Sequence, residues 1–322
     1  MPDASASPVF LSAHARYAAH AAAACGYAFR SLDGGDGYLF EVSDGARRAV
    51  FAAGAGSPYA LNDANAASIA RDKAFCAETL KGAGLPVVPG RVFFVTKRWA
   101  EMRSPGREPE DALAFAASAS YPIFCKPISA SNGLYAEMID SAGAFADYVG
   151  RVSREHFAIL VQPYVRGREY RALVLNGRVL FSYRKYLPEV VGDGACSLGE
   201  LAGRDAAKGR DERGAPIGAE AVPLLGERIL VEGPANRAAG GRAEEMREGA
   251  PEALTRLAVE AADAIGLKLA GVDVFDVSHH GDLSELLVIE VNSNPMIATL
   301  EDHNCWDLID EVWRANFAAA LR

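Results

Sequence analysis

The strongest local constraint in this sequence is a dipeptide. Asn176-Gly177 stands between two alternating runs, 169–175 and 178–183. Asn-Gly is the strongest short signal for a two-residue type I′ hairpin, whose central residues both need positive φ. The turn fixes a register in which Leu175 opposes Arg178, Leu173 opposes Leu180, Arg171 opposes Ser182 and Glu169 opposes Arg184. Side chains alternate between faces, so Glu169, Arg171, Ser182 and Arg184 are expected on one surface beside Leu173 and Leu180. Half of that surface is ionic; taken alone, Glu169 and Arg184 make an ordinary cross-strand ion pair.

The rest of the chain reads as alternating helices and strands. Before residue 62 come short strand-like pieces, 38–42 and 49–52, with glycine-rich turns. Asn62-Asp63 opens a helix over 64–81 that stops at Gly82 and Gly84 ahead of Pro86. Lys73 lies in the middle of its apolar stripe of Ile69, Cys76 and Leu80, an unusual place for a lysine unless it snorkels to solvent. Strands are expected over 92–95, 123–126, 135–139 and 158–162, and helices to about residue 118 and over 142–152. Beyond the hairpin, the charged stretch 203–249 is too long for a plain connection and reads as functional or mobile. It contains Asn236 and the pair Gly240-Gly241, which lets backbone approach a ligand closely. A helix from Pro251 to Gly266 precedes strands 270–277 and 286–292.

Those last strands carry buried-looking acids. Strict alternation puts Leu286, Val288, Glu290 and Asn292 on one face of 286–292, and Leu287, Ile289 and Val291 on the other. Asp273 is embedded in the apolar run 271–275. Two carboxylates and an amide oxygen are hard ligands of the type magnesium accepts alongside water and phosphate. Strand-end acids facing solvent would look the same, and it is the order of features that points to a phosphate site in pieces. A helix lysine (Lys73), a strand lysine before proline (Lys126) with a small-residue loop 129–133 after it, and then Asp with Glu-x-Asn supply cations, loop amides and metal ligands. Neither a G-x-x-x-x-G-K-[ST] loop nor a strand-preceded G-x-G-x-x-G is present.

Composition narrows the partners. With 33 Lys+Arg against 42 Asp+Glu the formal charge is −9, which argues against a broad basic face for nucleic acid but not against a local basic pocket. Five cysteines, widely spaced and never C-x-x-C, indicate neither a disulfide framework nor structural zinc, so a reduced cytoplasm is the simplest compartment. No apolar run approaches the roughly 18 residues of a membrane span. His279, His280 and His303 read as solvated rather than as a second metal site, and Asp193 as a turn former.

Taken in order, "SIARDKAFCAETLKGAGLPV", "YPIFCKPISASNG", "VQPYVRGREYRALVLNGRVLFSYRKYLPEVVGDGACSLGEL", "ANRAAGG" and "IGLKLAGVDVFDV…LVIEVNSNP" cover most of residues 68–295. So ordered, the chain resembles the ATP-grasp superfamily of carboxylate–amine ligases, and within it the ATP-grasp module of cyanophycin synthetase and of fused glutathione synthetases. The resemblance implies an α+β ATP-grasp fold with an N-terminal α/β domain (1–85), a central lid domain (86–165) and a C-terminal metal-bearing domain (166–322), three lobes where length alone suggests about two domains.

By the same resemblance Lys73 and Lys126 hold ATP phosphates, and Ser129, Ser131 and Gly133 belong to the lid loop above them. Gln162, Tyr164 and Val165 form the hinge that reads adenine, Glu169 binds ribose, and Asp273, Glu290 and Asn292 ligate magnesium, two ions in all, with manganese as a substitute. Arg184 acts with Lys126 in catalysis as the cation over the transferred group, and Lys185 takes its place if one bulge exchanges their faces. Arg171, Tyr135, Asn236, Ser293 and Asn294 fall on the acceptor side.

The implied activity is ATP-dependent amide formation through an acyl phosphate, on amino acids, short peptides or related metabolites. The alternatives are a non-catalytic ATP-binding sensor and a carboxylate–thiol ligase that uses coenzyme A. Partners are then a small carboxylate and a small amine, without nucleic acid or membrane, and a homodimer is allowed. Three departures stand out: Gln162 where relatives carry Glu, Met296 where they carry Gly, and Glu232 where an arginine is expected.

Overall fold

The computed structural model describes residues 10–54, 56–203, 207–211, 213–233, 235 and 240–322. Helix α1 (Ala13–Cys25) is started by the Ser12 hydroxyl and stopped by Gly26 in the left-handed conformation. A meander follows, β1 (Ala28–Ser31), β2 (Leu39–Ser43) and β3 (Arg48–Ala52). Alternation in β2 turns Phe40 and Val42 inward, where they meet Ala15, Ala18 and Ala22 of α1 and the fully buried Trp313 and Phe317 near the chain's end. First and last segments thus share one core.

Next come α2 (Ala64–Arg71) and α3 (Lys73–Gly82). The single helix expected over 64–81 is broken: Asp72 is extended (φ −90°, ψ 110°) and its carboxylate accepts from the Ala74 and Phe75 amides at 2.8 and 3.1 Å. Aspartate is a better N-cap than helix-interior residue, because its side chain competes for backbone amides. Lys73 is therefore the first residue of a helix.

A second unit contains β4 (Arg91–Phe94), α4 (Pro109–Ser118), β5 (Ile123–Pro127), β6 (Glu137–Ile139), α5 (Ala142–Val152) and β7 (Ala158–Pro163). Its antiparallel sheet has the order β4-β7-β5-β6. Ile123, Cys125, Ile159 and Val161 pack against Phe145 and Tyr148 of α5. Lys126, Leu160 and Gln162 occupy the alternate positions and face the other way.

The largest sheet is antiparallel and runs β14 (Arg242–Glu248), β9 (Arg178–Tyr186), β8 (Arg168–Leu175), β15 (Leu269–Asp276), β16 (Leu286–Asn292). Between β9 and β14 the chain forms a small sheet of β10 (Glu189–Val191), β11 (Gly209–Arg210), β12 (Pro216–Ile217) and β13 (Arg228–Val231), with the short α6 (Leu198–Ala202). The stretch 203–249 is thus no plain connection. Helices α7 (Glu252–Ile265), α8 (Ala298–Asp302) and α9 (Trp306–Ala320) complete the chain.

One face of the large sheet is covered by α2, α3 and α7: Val174, Val272, Val274 and Val288 meet Ala66, Cys76, Leu80, Leu254 and Ala261. The opposite face is divided. Leu173, Leu175, Leu180 and Leu269 join the core under α1 and α9, whereas Glu169, Arg171, Asp273 and Glu290 line a cleft against the 91–163 unit. The boundary expected at residue 85 is not where the packing changes, since 13–52 packs with α9 while 64–82 packs on the large sheet. Among the described residues no helix is long and apolar enough to cross a membrane.

Candidate active site

Two β-bulges set the polar half of the sheet. In the β8–β9 pair, Leu173 opposes Phe181 and Val174 opposes Val179, leaving Leu180 as the extra residue. From there on the register differs by one from that expected from the turn: Arg171 opposes Tyr183, Tyr170 opposes Arg184 and Glu169 opposes Lys185. Lys185, not Arg184, therefore shares the face of Glu169 and Arg171. In the β15–β16 pair, Asp273 opposes Glu290 and Val274 opposes Val288, so Ile289 is the extra residue. Val288 consequently lies with Val291 in the core under α7, and Glu290 and Asn292 emerge on the opposite side, not on the face of Val288 and Leu286 as alternation requires.

The cleft encloses about 1690 Å³. At its floor Asp273, 1% exposed, accepts from Arg171 Nε at 2.7 Å and Nη2 at 2.5 Å and lies 3.0 Å from Lys185 Nζ. Lys185 also donates to Glu169 at 2.5 Å. Burial works against ionisation of Asp273, but the adjacent Arg171 and Lys185 outweigh it and hold the carboxyl at about 2. The converse holds for Lys185 and Arg171, which burial would deprotonate and the carboxylates keep charged, both pushed above their ordinary values.

Above this ladder sit two more cations. Lys126, at the end of β5, and Lys73, at the start of α3, each place Nζ 3.9 Å from the same Glu290 oxygen, Oε2. Lys73 also donates to the Ala130 carbonyl at 2.5 Å, and its backbone amide donates to the Ile128 carbonyl at 2.8 Å. The helix break at Asp72 and the loop after β5 thus dock together. Burial opposes charge on Glu290, yet Lys126 and Lys73 pull its pKa below the ordinary value. Lys126 is lowered too, because its own desolvation exceeds the help from Glu290.

Asn292 Nδ2 lies 3.4 Å from Asp273 Oδ2 and 3.3 Å from Glu290 Oε1, so the three side chains share one face. Turned by 180° about its last side-chain bond, the Asn292 amide presents Oδ1 at the same point. Among the described residues no three His, Cys, Asp or Glu side chains converge on a point. Two carboxylates and an amide oxygen nevertheless suit magnesium, which keeps much of its shell for water and phosphate.

Ser129, Ser131 and Gly133 lie in the 128–136 loop that borders the cleft, with Asn132 and Gly133 in the left-handed region. Tyr164, Val165 and Gln162 line it where β7 leads into β8, but the Gln162 amide is spent on the Val88 carbonyl at 3.0 Å. Arg184 reaches the cleft edge over the Tyr186 ring and pairs with Glu245 at 3.4 Å. The implied ribose acid, Glu169, is engaged by Lys185.

On the acceptor side, Arg171 is committed to Asp273, while Ser293 and Asn294 line the cleft. Tyr135 does not: its hydroxyl donates to Glu155 at 2.6 Å and β6 begins only at Glu137. Asn236 lies outside the described residues. The space expected beside Gly241 for a ligand is filled by the Ala235 carbonyl, 2.2 Å from where a Cβ would stand. Asp193 accepts from the Ala195 and Cys196 amides at 2.8 and 2.7 Å, which makes it a turn former in the structure. His303 Nδ1 donates to the Thr299 carbonyl at 2.8 Å, and His279 contacts His280.

Sequence reasoning missed the buried ladder of Arg171, Asp273, Lys185 and Glu169, although each member had been singled out separately. It also missed Asn62, whose amide bonds the Leu269 and Ser293 carbonyls at 2.8 and 2.9 Å and so pins the loop after Asn292. An asparagine in a helix-start signal gave no sign of that second role.

Comparison with known proteins gives this arrangement relatives. Residues 217–315 match the RimK-like ATP-grasp domain family. The chain is 26% identical over 204 residues to the glutathione biosynthesis bifunctional protein GshAB of Streptococcus agalactiae serotype V, covering 55% of this chain and 27% of that one. It is 25% identical over 253 residues to cyanophycin synthetase of Geminocystis herdmanii, covering 70% and 28%. The chain therefore spans only about a quarter of the length of the curated relatives it matches. Among solved structures, a bifunctional glutathione synthetase from Pasteurella multocida aligns over 84% of this chain and 39% of its own at 21% identity, with a TM-score of 0.45.

Proposed function

We propose, from the match of residues 217–315 to the RimK-like ATP-grasp domain family, that the chain is an ATP-dependent carboxylate–amine ligase acting on amino acids, short peptides or related metabolites. One observation carries the reading: lysines from two different packing units converge within 3.9 Å of one carboxylate oxygen, beside a second carboxylate and an amide. Converged cations facing hard oxygen donors suit a polyphosphate held with a divalent metal.

A carboxylate resists attack by an amine because it is anionic and resonance-stabilised. In the proposed reaction one of its oxygens attacks the γ-phosphorus of ATP and ADP leaves. The amine nitrogen then attacks the acyl carbon, phosphate departs with the bonding pair, and the nitrogen loses a proton. Lys73 and Lys126 offset charge on the phosphates throughout. Loop 128–136, docked to α3 through Lys73 at the border of the cleft, would limit water that hydrolyses the acyl phosphate. Asp273, Glu290 and Asn292 would hold magnesium, which when bound screens and orients the phosphates. Lys185 lies beside Asp273 and Glu169, and in this reading it takes the place first given to Arg184.

The test is ADP release with Mg²⁺ across pairs of amino acids and dipeptides, with mass spectrometry of positive pairs. Glu290→Gln is expected to lower turnover on the order of a hundredfold or more. Nucleotide binding without ADP release for every pair would leave the sensor reading, and strict dependence on coenzyme A the thiol-ligase reading.

A further inference from the structure

Arg71 and Lys73 both line the cleft. Within one continuous helix, residues two apart point about 200° away from each other, so only one of them could do so. The break at Asp72 removes that restriction. It puts Arg71 at the end of α2 and Lys73 at the start of α3. The break also disposes of the nearest carboxylate, because Asp72 is committed to the Ala74 and Phe75 amides.

Arg71 is left with neither hydrogen bond nor ion pair among the described residues. Most cations of the cleft are matched: Lys73 and Lys126 by Glu290, Arg171 and Lys185 by Asp273, Arg210 by Glu232 and Arg242 by Glu244. Arg166 is the other unmatched one, and it belongs to the segment that joins β7 to β8.

The wall beside α2 is a formed structure. The Ser293 hydroxyl and Asn294 amide of the loop after Asn292 reach the Ala67 and Gly56 carbonyls, both at 3.5 Å, and Asn62 anchors the Ser293 carbonyl. Beside the neutral Ala67, Ser293 and Asn294, Arg71 is the unmatched guanidinium of this wall, while Asp302 and His303 also line the cleft. A guanidinium fork matches a carboxylate in shape and charge, whereas a phosphate dianion calls for more than one cation.

We infer that Arg71 is a specificity-determining residue: it holds a carboxylate that takes no part in bond formation, on one of the two substrates. Calling the ligand a substrate rests on the ligase reading, but the binding itself does not. The test therefore measures binding, by saturation-transfer NMR and calorimetry, on the full chain with Mg²⁺ and a non-hydrolysable ATP analogue. The probes are the amino acids, their α-carboxamides, and the Asp/Asn and Glu/Gln pairs, which separate an α-carboxylate from a side-chain carboxylate.

At least one acid is expected to bind about tenfold to a hundredfold more tightly than its amide. That preference should vanish in Arg71→Ala and return in part in Arg71→Lys, with nucleotide affinity unchanged in both. An acid preference that survives Arg71→Ala, or no acid preference in the parent, overturns the assignment. ADP release is scored separately, so a protein that binds the acid through Arg71 without turning over would discard the ligase reading and keep this one.

Discussion

Asp273 shows how a single side chain depends on its neighbours. A carboxylate 1% exposed is tolerable because two cations touch it, one of them Lys185 with only 5% of its side chain exposed. Removing one partner of a buried ion cluster strands the remaining charge, which costs about 3–5 kcal/mol. Lys185→Met is therefore expected to lower the stability by a few kcal/mol, read from the urea midpoint. Arg184→Met removes only a half-exposed pair with Glu245 and should cost less than about 1 kcal/mol. Equal losses in the two variants would mean that the bulge at Leu180 is absent and the register is the one set by the turn alone. His14 offers a second measurement at this scale. Its ring is buried between Tyr59 and Trp313, and burial lowers its pKa from 6.5 to about 4. As pH falls below 6.5 the unfolded chain takes up a proton that the folded chain refuses, so stability drops until the folded value is reached. The loss is on the order of 3 kcal/mol between those limits. His14→Phe keeps a ring without the titration, and its stability should fall less than the parent's between pH 7 and 4. Parallel curves for the two would show that His14 takes up its proton as readily in the fold as in the unfolded chain.

Among the elements, the short extended link at Asp72 matters more than its size suggests. Asp72→Ala removes the cap of α3 at a cost of about 1 kcal/mol, and it also lets α2 and α3 merge into the continuous helix that the sequence pattern favours. Circular dichroism should then show a small gain in helix, while affinity for a fluorescent ATP analogue falls about tenfold as Lys73 turns from the cleft. A loss of stability with unchanged nucleotide affinity would mean the break serves only as a cap. What was legible in the sequence follows from the same elements. The Asn176-Gly177 turn and the bounds of α5 and β16 are visible because turn chemistry and periodicity are local. The convergence of Lys73, Lys126, Asp273, Glu290 and Asn292 could be anticipated from their order. The positions of the two bulges could not, although one that exchanges Arg184 for Lys185 is allowed for. Leu180 and Ile289 are apolar residues in apolar strands, and neither carries the glycine that often marks a bulge. Strict alternation therefore assigned Arg184 and Val288 to the wrong faces. The break at Asp72 was hidden likewise, since its neighbours fit a helix on both sides and the cap at Asp72 acts together with the distant contact of Lys73 with Ile128 and Ala130.

For the whole molecule, the charge of −9 and the cation-lined cleft are separate facts. The acids that matter are drawn inward as partners for lysine and arginine, so the proposed binding of phosphate owes nothing to the surface balance. The 91–163 unit has its own core and meets the body across the cleft, with Lys126 on one side and Glu290 on the other. A nucleotide with magnesium bound between them should tie the two together. A ligand that binds only the folded state at a hundred times its dissociation constant adds about 2.7 kcal/mol, irrespective of chemistry. For a chain of this size that corresponds to a rise of several degrees in the thermal midpoint. The non-hydrolysable ATP analogue with Mg²⁺ is expected to produce that rise and to protect the 128–136 loop from limited proteolysis. Lys126→Ala should abolish both effects, because it removes the contact made by the 91–163 unit, whereas Glu290→Gln should shift the magnesium dependence to higher concentration. A midpoint that rises with the nucleotide in Lys126→Ala as much as in the parent would place the phosphates elsewhere in the cleft.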